Sequence, residues 1–204
     1  MRYLLTAAGF TCWAYVYIEM IRVGNREKMC AMPFFALVFN IAWEALYTVE
    51  AICHLHAEAF LYLPLLVLDI FILLAHLKYG KCHFPSKAQH LFLFLSGASL
   101  AAGIALMLAF YFQFDVRPAS HYSSFLRYAF MSLLFVYAFY TRNDIRGQSL
   151  GIAIVKCIGT LLLAVQYGYI EMINPFVLIC ATVSFSADIW YIIALAISKK
   201  GEAA

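Results

Sequence analysis

The chain has 204 residues, of which 65% are hydrophobic and 12% are charged, against roughly 45–50% and 25% in soluble domains. This composition excludes an ordinary soluble domain and indicates a protein that crosses a membrane several times. The net charge of +3 is small, so it gives no indication of nucleic acid as a partner.

Seven apolar stretches follow one another along the chain, each close to the roughly 20 residues that a helix needs to cross a bilayer. They cover residues 3–21, 30–49, 60–77, 88–112, 120–140, 148–169 and 173–197. The first contains Glu19 and several aromatic residues without a cleavage site, so we expect it to remain as a helix. The connections are short, at most about ten residues. We therefore predict an all-α integral membrane protein, a single seven-helix transmembrane bundle over residues 1–204.

Basic residues are distributed unequally between the two ends of the predicted spans. One side carries Arg22, Arg26, Lys28, Lys78, Lys81, Lys87, Arg142, Arg146, Lys199 and Lys200. The other side carries only Arg2 and Arg117. Because positive loops are retained in the cytoplasm, we expect the N-terminus outside or in the lumen and the C-terminus in the cytoplasm. The pattern is the same for an endoplasmic reticulum protein and a bacterial cytoplasmic membrane protein.

We expect each ionisable side chain within a span to have a structural or functional role, since inserting one at the centre of a transmembrane helix costs about 2.5–3.5 kcal/mol. The acids are Glu19, Glu44, Asp69 and Asp188, and the bases are Arg127 and Lys156. Two cations can pair with at most two acids one to one, so two carboxyls are left over. A carboxyl in an apolar cavity without a counter-charge is favoured in its protonated form and can donate that proton. The surplus predicts acid chemistry or proton transfer.

Helical spacing groups these residues into stripes, because positions three, four and seven apart share a helix face. The second span has Asn40, Glu44 and Tyr47 with Trp43 beside them, and the seventh has Ser184, Asp188 and Tyr191 next to Trp190. Comparable stripes are Thr11, Tyr15 and Glu19; Tyr62, Asp69 and His76; Ser124 and Arg127; and Lys156, Thr160 and Tyr167. We therefore predict an interior cavity with acids among aromatic rings, whose faces stabilise cations.

Structural alternatives exist for several of these residues. Asp69 can pair with Arg127 or Lys156 and only fix the packing, and Glu19 can form an ion pair with Arg22 at the membrane surface. Glu44 and Asp188 have no cation three or four residues away on their own helices, which favours a functional role. Tryptophan and tyrosine near span ends often serve only as interfacial anchors.

No metal site is predicted. The segment with Glu50, Cys53, His54, His56 and Glu58 has suitable residue types, but His54 and His56 are two residues apart and cannot share a helical face. The six cysteines are scattered singly, which suits packing. The small residues "SGASLAAG" at 96–103 predict a close approach of two helices.

Four motifs resemble one known family. They are "NIAWE" (40–44), "LPLLVLD" (63–69), "GQSLGIAIVKCIGT" (147–160) and "DIWY" (188–191). With the seven spans, they resemble the small seven-helix membrane terpene cyclases of meroterpenoid and indole-diterpenoid pathways. The resemblance implies that Glu44 and Asp188 are the essential acids. It also implies protonation of an epoxide or olefin of a prenylated substrate, ring closure through carbocations and a final deprotonation.

The resemblance extends to the rest of the site. Trp43, Tyr47, Trp190 and Tyr191 are candidate cation stabilisers, Asn40 orients Glu44, Asp69 holds a supporting network, and Arg127 and Lys156 complete the set. No cofactor is implied, because the chain has neither a DDxxD nor a DxDD motif and no glycine-rich phosphate loop. The expected partner is a lipophilic prenylated small molecule that arrives from the membrane lipid.

The depths of the two acids leave two arrangements open. By helical rise, Glu44 lies roughly 20 Å and Asp188 roughly 13 Å from the cytoplasmic ends of their helices. With the error in the span boundaries, the two acids are either level or about a turn and a half apart.

Three roles other than a terpene cyclase are compared with the sequence. A proton-coupled transporter also uses intramembrane carboxylates, although the five prolines lie near span ends or in loops. A retinal photoreceptor needs a lysine on its seventh span to form a Schiff base. The seventh span of this chain has none, so Lys156 would have to take that role. A purely structural subunit does not need unpaired acids.

Overall fold

The computed structural model describes residues 2–84, 86–142 and 145–202. Its long helices are α1 Arg2–Glu27, α2 Phe34–Cys53, α3 Ala59–Tyr79, α4 Phe92–Gln113, α5 Val116–Thr141, α6 Leu150–Val165 and α7 Pro175–Glu202. Short 3₁₀ segments, Gly80–His83 and Ser86–Leu91, connect α3 to α4, and a π-helical turn, Gln166–Ile170, continues α6. Within the described residues, seven helical segments are long and apolar enough to cross a membrane. The predicted seven-helix membrane bundle is confirmed.

The packing of the helices creates two interior regions that share α5. Helix α2 packs against α3, α4 and α5, and α1 packs against α3 and α6. Helix α7 packs against α5 and α6. Polar residues on α1, α2 and α3 therefore face one side of α5, and those on α6 and α7 face the other.

The predicted inward stripe of α1 is wrong. Thr11 and Tyr15 are exposed on the outer surface, whereas Trp13 and Tyr17, four residues apart, are buried. Burying the two large aromatic side chains removes more apolar area from the surroundings than burying threonine does. The Thr11 hydroxyl donates to the carbonyl of Ala7 at 2.8 Å and needs no interior partner.

Two smaller predictions of local structure are tested directly. Glu19 and Arg22 form the expected ion pair near the end of α1, at 3.5 Å. The small-residue stripe of α4 is packed at both ends, with Ser96 buried against His76 of α3, but it is open at Gly97. A Cβ at Gly103 would lie 2.6 Å from the Val38 side chain of α2, whereas a Cβ at Gly97 would meet nothing within 4 Å.

Candidate active site

A cluster of polar side chains is buried where α1, α2, α3 and α5 meet. It contains Tyr17, Asn40, Glu44, Asp69 and Arg127, each 3% exposed or less. Four helices contribute to it, so no single stretch of sequence contains it. We call these five residues the acid cluster.

Asn40 is the hub of the hydrogen bonds in the acid cluster. Its Nδ2 donates to Asp69 Oδ2 at 2.7 Å and to the hydroxyl of Tyr17. Its Oδ1 accepts a hydrogen bond from Arg127 Nη1 at 2.5 Å. The expected role of Asn40 in orienting Glu44 is therefore indirect, because its contacts are with the neighbours of Glu44.

Glu44 is held through one of its two oxygens. The Tyr17 hydroxyl donates to Oε1 at 2.7 Å, and Arg127 Nη1 lies 3.8 Å from the same oxygen. Oε2 is buried and receives no hydrogen bond from a donor within the described part of the chain, and the same is true of Asp69 Oδ1. The carboxyl groups of Glu44 and Asp69 nevertheless lie within hydrogen-bonding reach of each other. Two adjoining buried carboxyls are stabilised when one of them carries a proton and donates it to the other.

The charges of the acid cluster do not balance unless it holds a proton. It contains two carboxyl groups, Glu44 and Asp69, and one guanidinium, Arg127. A buried site disfavours an uncompensated charge strongly, so the neutral state has one carboxyl ionised and the other protonated. One of the two predicted surplus carboxyls is therefore located at this cluster, and the other, Glu19, pairs with Arg22.

Asp188 belongs to a separate buried ion pair. Lys156 Nζ of α6 lies 2.5 Å from Asp188 Oδ1 of α7, and both side chains are 1% exposed. Lys156 also donates to Ser132 Oγ of α5 at 2.8 Å. The expectation that Asp188 is unpaired is wrong. Helix α7 has no cation near Asp188, but α6 packs against α7 and brings Lys156 to it. Asp69 therefore does not receive Lys156, and reaches Arg127 only through Asn40.

The two acids lie at different depths. Arg127 of the acid cluster and Ser132 of the lysine pair are five residues apart on α5, which is about 7.5 Å along the helix axis. This spacing supports the second of the two predicted arrangements, in which the acids are about a turn and a half apart.

A tapering cavity leads from one end of the bundle toward the acid cluster. Its outer part, which we call the mouth, has a volume of about 450 Å³ and is lined largely by polar residues at the end of α2 and the start of α5. A narrower part of about 30 Å³ is lined mainly by aromatic rings, and we call it the inner cavity. The two parts share Tyr62, Ser120, His121 and Tyr167.

The charged side chains of the cavity lie at its outer part. On α2 and at its C-terminal end, Trp43 lines the inner cavity, while Tyr47, Glu50 and His54 line the mouth at spacings of four, three and four residues. On α5, Arg117 lines the mouth, whereas Ser124, Phe125 and Tyr128 line the inner cavity. The carboxylates and the guanidinium of the cavity thus line the mouth, and the inner cavity is lined mainly by aromatic rings with serine and histidine side chains.

Arg127 lies against two of the aromatic rings that line the inner cavity. Its guanidinium carbon lies 4.6 Å from the centre of Trp43 and 4.8 Å from that of Tyr128. The indole N–H of Trp43 donates to Ser123 Oγ at 3.0 Å, which fixes the ring. These faces already stabilise one cation, and they stand between the inner cavity and Glu44.

Comparison with known proteins agrees with this geometry. Residues 1–200 match the family model of the Pyr4-like transmembrane terpene cyclases. The chain belongs to that family. It is 34% identical over 165 residues to the Pyr4-family terpene cyclase mfmH of Annulohypoxylon moriforme, covering 77% of this chain and 65% of that relative. It is 24% identical over 197 residues to the terpene cyclase pyr4 of Aspergillus fumigatus, covering 88% and 79%. No solved structure matches the chain.

Not every site residue expected of a Pyr4-like cyclase lies at this cavity. Asn40, Trp43, Glu44, Tyr47, Asp69 and Arg127 come together. Tyr191 is buried on the side of the lysine pair, where its hydroxyl donates to Gln148 Oε1 at 3.1 Å. Trp190 is 61% exposed on the outer surface and donates to the Tyr140 hydroxyl. Neither residue reaches the acid cluster, because α7 packs on the other side of α5.

Tyr17 is the residue that sequence reasoning missed. It contacts both Asn40 and Glu44, yet it belongs to the aromatic run that we used only to argue that the first span is retained. The available signal was its spacing of four residues from Trp13, which places the two aromatic side chains on one helix face.

The predicted absence of a metal site rested on a rule that does not apply. Helix α2 ends at Cys53, so His54 and His56 are outside it and both face Glu50, at 4.0 and 3.8 Å. Even so, within residues 2–84, 86–142 and 145–202 no three histidine, cysteine, aspartate or glutamate side chains are arranged to hold a metal ion. These residues instead form part of the mouth.

Proposed function

We propose that this chain is a membrane terpene cyclase in which Glu44 protonates an epoxide or olefin of a lipophilic prenylated substrate. One observation carries the proposal: a proton-holding acid cluster lies beneath a cavity lined with aromatic rings. Membership of the Pyr4-like family supports cyclase activity, and the two relatives are named as terpene cyclases.

Glu44 is the best placed donor of the three buried acids. It follows Trp43, which lines the inner cavity, so its backbone is one residue from the cavity wall. Its contacts with Tyr17 and Arg127 both fall on Oε1, which leaves Oε2 to hold the proton. Asp69 lies beside Glu44 and accepts a hydrogen bond from Asn40, and Asp188 is paired with Lys156.

The reaction is an isomerisation. The proton of Glu44 passes to the epoxide oxygen, whose C–O bond opens to a hydroxyl and a carbocation, or to an alkene carbon, which gives a carbocation directly. Successive π bonds attack and close the rings, and loss of a proton from carbon forms the final alkene. That proton restores the acid cluster, so no atom is gained or lost.

The residues of the site favour the charged intermediates. After the transfer the acid cluster holds two carboxylates and one guanidinium, and this net negative charge stabilises a carbocation nearby. The faces of Trp43 and Tyr128 add cation–π stabilisation. At about 30 Å³ the inner cavity is far smaller than a prenyl chain, so the chain must separate these rings as it enters. The bound chain then excludes water that would quench the cation.

The test supplies membranes that contain the protein with farnesylated and geranylgeranylated aromatics, with and without terminal epoxides. Cyclisation appears in chromatography as a product of changed retention and unchanged mass. Glu44→Gln should lower the rate by about 10²–10⁴-fold, the usual contribution of a general acid. Glu19→Gln is the matched control, since it makes the same change in the ion pair with Arg22 near the end of α1, and it should retain the rate.

Two results would refute the proposal. One is a folded Glu44→Gln protein that cyclises at the rate of the unchanged chain. The other is intact protein that converts nothing while Glu44→Gln alters proton-linked uptake into vesicles, in which case the transporter takes the place of the cyclase. Repeating the assay in D₂O separates the two initiation steps, because protonation of an alkene leaves a non-exchangeable deuterium on carbon and protonation of an epoxide does not.

A further inference from the structure

We propose that the mouth holds the polar head group of the prenylated substrate and that it selects a neutral, hydroxylated aromatic head over an anionic one. This inference rests on the proposed function, since it takes the end of the prenyl chain to lie toward Glu44.

The direction of the substrate follows from the polarity of the cavity. An apolar chain gains most by lying among aromatic rings, and a polar head loses least where hydrogen-bonding groups remain. The inner cavity has the rings of Phe10, Trp43 and Tyr128, whereas the carboxylates and the guanidinium of the cavity all line the mouth. The chain therefore enters first and the head stays at the mouth, which is also the roomier part.

The length of α2 between the two regions fits a prenyl chain. Glu50 and His54 lie six and ten residues beyond Glu44, which corresponds to about 9–15 Å along the helix. An isoprene unit adds four chain bonds, roughly 4–5 Å when extended, by the covalent geometry that gives 3.3–3.6 Å for the three bonds of a residue. Three units thus bring the end of a chain close to Glu44 while the head remains between Glu50 and His54.

The charges of the mouth discriminate between heads. Its lining includes the carboxylates of Glu50, Glu58 and Glu171 and one guanidinium, Arg117, so its balance is −2 with the histidines neutral. Arg117 already lies 3.8 Å from Glu171. Carboxylates accept hydrogen bonds from hydroxyl groups and repel an anion. An ionised head, or a diphosphate, is therefore disfavoured here.

Two side chains are placed to contact the head directly. Glu50 has the least exposed side chain of the three carboxylates, at 10% against 17% for Glu171, while Glu58 is exposed. Tyr47 lines the mouth, and its buried hydroxyl lies within reach of Ser123 Oγ, which already accepts a hydrogen bond from Trp43 and donates one to the Ala119 carbonyl. The Tyr47 hydroxyl therefore retains capacity for a further hydrogen bond, which an oxygen of the head group would satisfy.

The test measures binding, so that it does not depend on catalysis. Two ligands share a fully saturated farnesyl-length chain and a dihydroxybenzene head, and one carries a ring carboxylate where the other carries a carboxamide. Their Kd values are measured by tryptophan fluorescence with the protein in lipid nanodiscs. The neutral ligand should bind about tenfold tighter, as expected for like charges at close range.

Substitutions connect the preference to the mouth. Glu50→Gln should reduce the ratio of the two Kd values by about threefold or more, since it removes one of the repelling charges. Glu58→Gln, at an exposed position, should reduce it in the same direction. Glu19→Gln lies outside the mouth and should leave the ratio unchanged. Comparing ratios in the same nanodiscs cancels the different partition of the two ligands into lipid.

The outcomes separate this inference from the proposed function. Equal Kd values, or a ratio that neither Glu50→Gln nor Glu58→Gln changes, would overturn the head-group site. A ratio that responds as expected in protein that cyclises nothing would support the site and refute the cyclase proposal.

Discussion

The ion pair between Lys156 and Asp188 gives the sharpest test of how the two acids divide their roles. Because the pair lies away from the cavity, we expect Asp188 to act by balancing Lys156 rather than by exchanging protons with substrate. The perturbation is a cycle of Lys156→Met, Asp188→Asn and the double variant. Both side chains are 1% exposed and their charged atoms are 2.5 Å apart, so either single change leaves a buried charge without its counter-charge.

The size of the effect follows from that burial. Removing one partner of a buried ion pair costs roughly 3–5 kcal/mol, whereas replacing both partners costs far less. For a chain of this size that corresponds to a fall of about 6–20 °C in the midpoint of thermal unfolding. The double variant should therefore be no less stable than either single variant, although it carries both changes.

The assay combines thermal unfolding in one detergent with cyclisation measured below every midpoint. We expect both single variants to lose folded protein and activity together, and the double variant to recover both, with activity within about tenfold of the unchanged chain. An Asp188→Asn protein with an unchanged midpoint and no activity would refute the structural role. So would a folded double variant that is as inactive as Asp188→Asn.

Three further predictions concern other parts of the bundle. Tyr17→Phe removes the hydroxyl that holds the glutamate of the acid cluster and should lower kcat by up to about a hundredfold with little change in KM. A change in KM as large as the change in kcat would contradict a positioning role. Gly103→Ala should destabilise the bundle by about 1–3 kcal/mol, because the new methyl meets Val38 of α2, while Gly97→Ala serves as its control and should leave the unfolding midpoint unchanged. A variant that retains only Cys53, an exposed thiol at the end of α2, should react with an impermeant maleimide from the outer or lumenal side, and labelling from the cytoplasmic side would reverse the predicted orientation.

The face of α2 shows how far sequence reasoning reaches. Asn40, Trp43, Glu44 and Tyr47 are all buried, as their spacing predicts, because the 3.6-residue repeat alone decides which residues share a face. The same rule failed on α1, where two faces both offered plausible residues and only burial of the larger aromatic side chains chose between them. Periodicity shows which residues share a helix face, but it does not show which face packs against the neighbouring helices.

For the same reason, the sequence could not predict which ion pairs form between helices. The count of four acids and two bases predicted two surplus carboxyls. One lies in the acid cluster, where Glu44 and Asp69 lie near a single guanidinium, Arg127, and the other, Glu19, pairs with Arg22. Which acid receives which base depends on helix contacts, and the packing of α6 on α7 gives Lys156 to Asp188. Local spacing contained no information on that choice.

The sequence by itself determined the membrane environment, the seven spans, the polar face of α2 and the excess of acid, because hydrophobicity, length and helical period are local properties. The tertiary structure alone decided that Tyr17 holds Glu44, that Lys156 pairs with Asp188, and that a cavity with charged side chains at its mouth leads to aromatic rings beside the acid cluster. Those features arise where side chains from different helices meet, and the meeting points are fixed by how the helices pack.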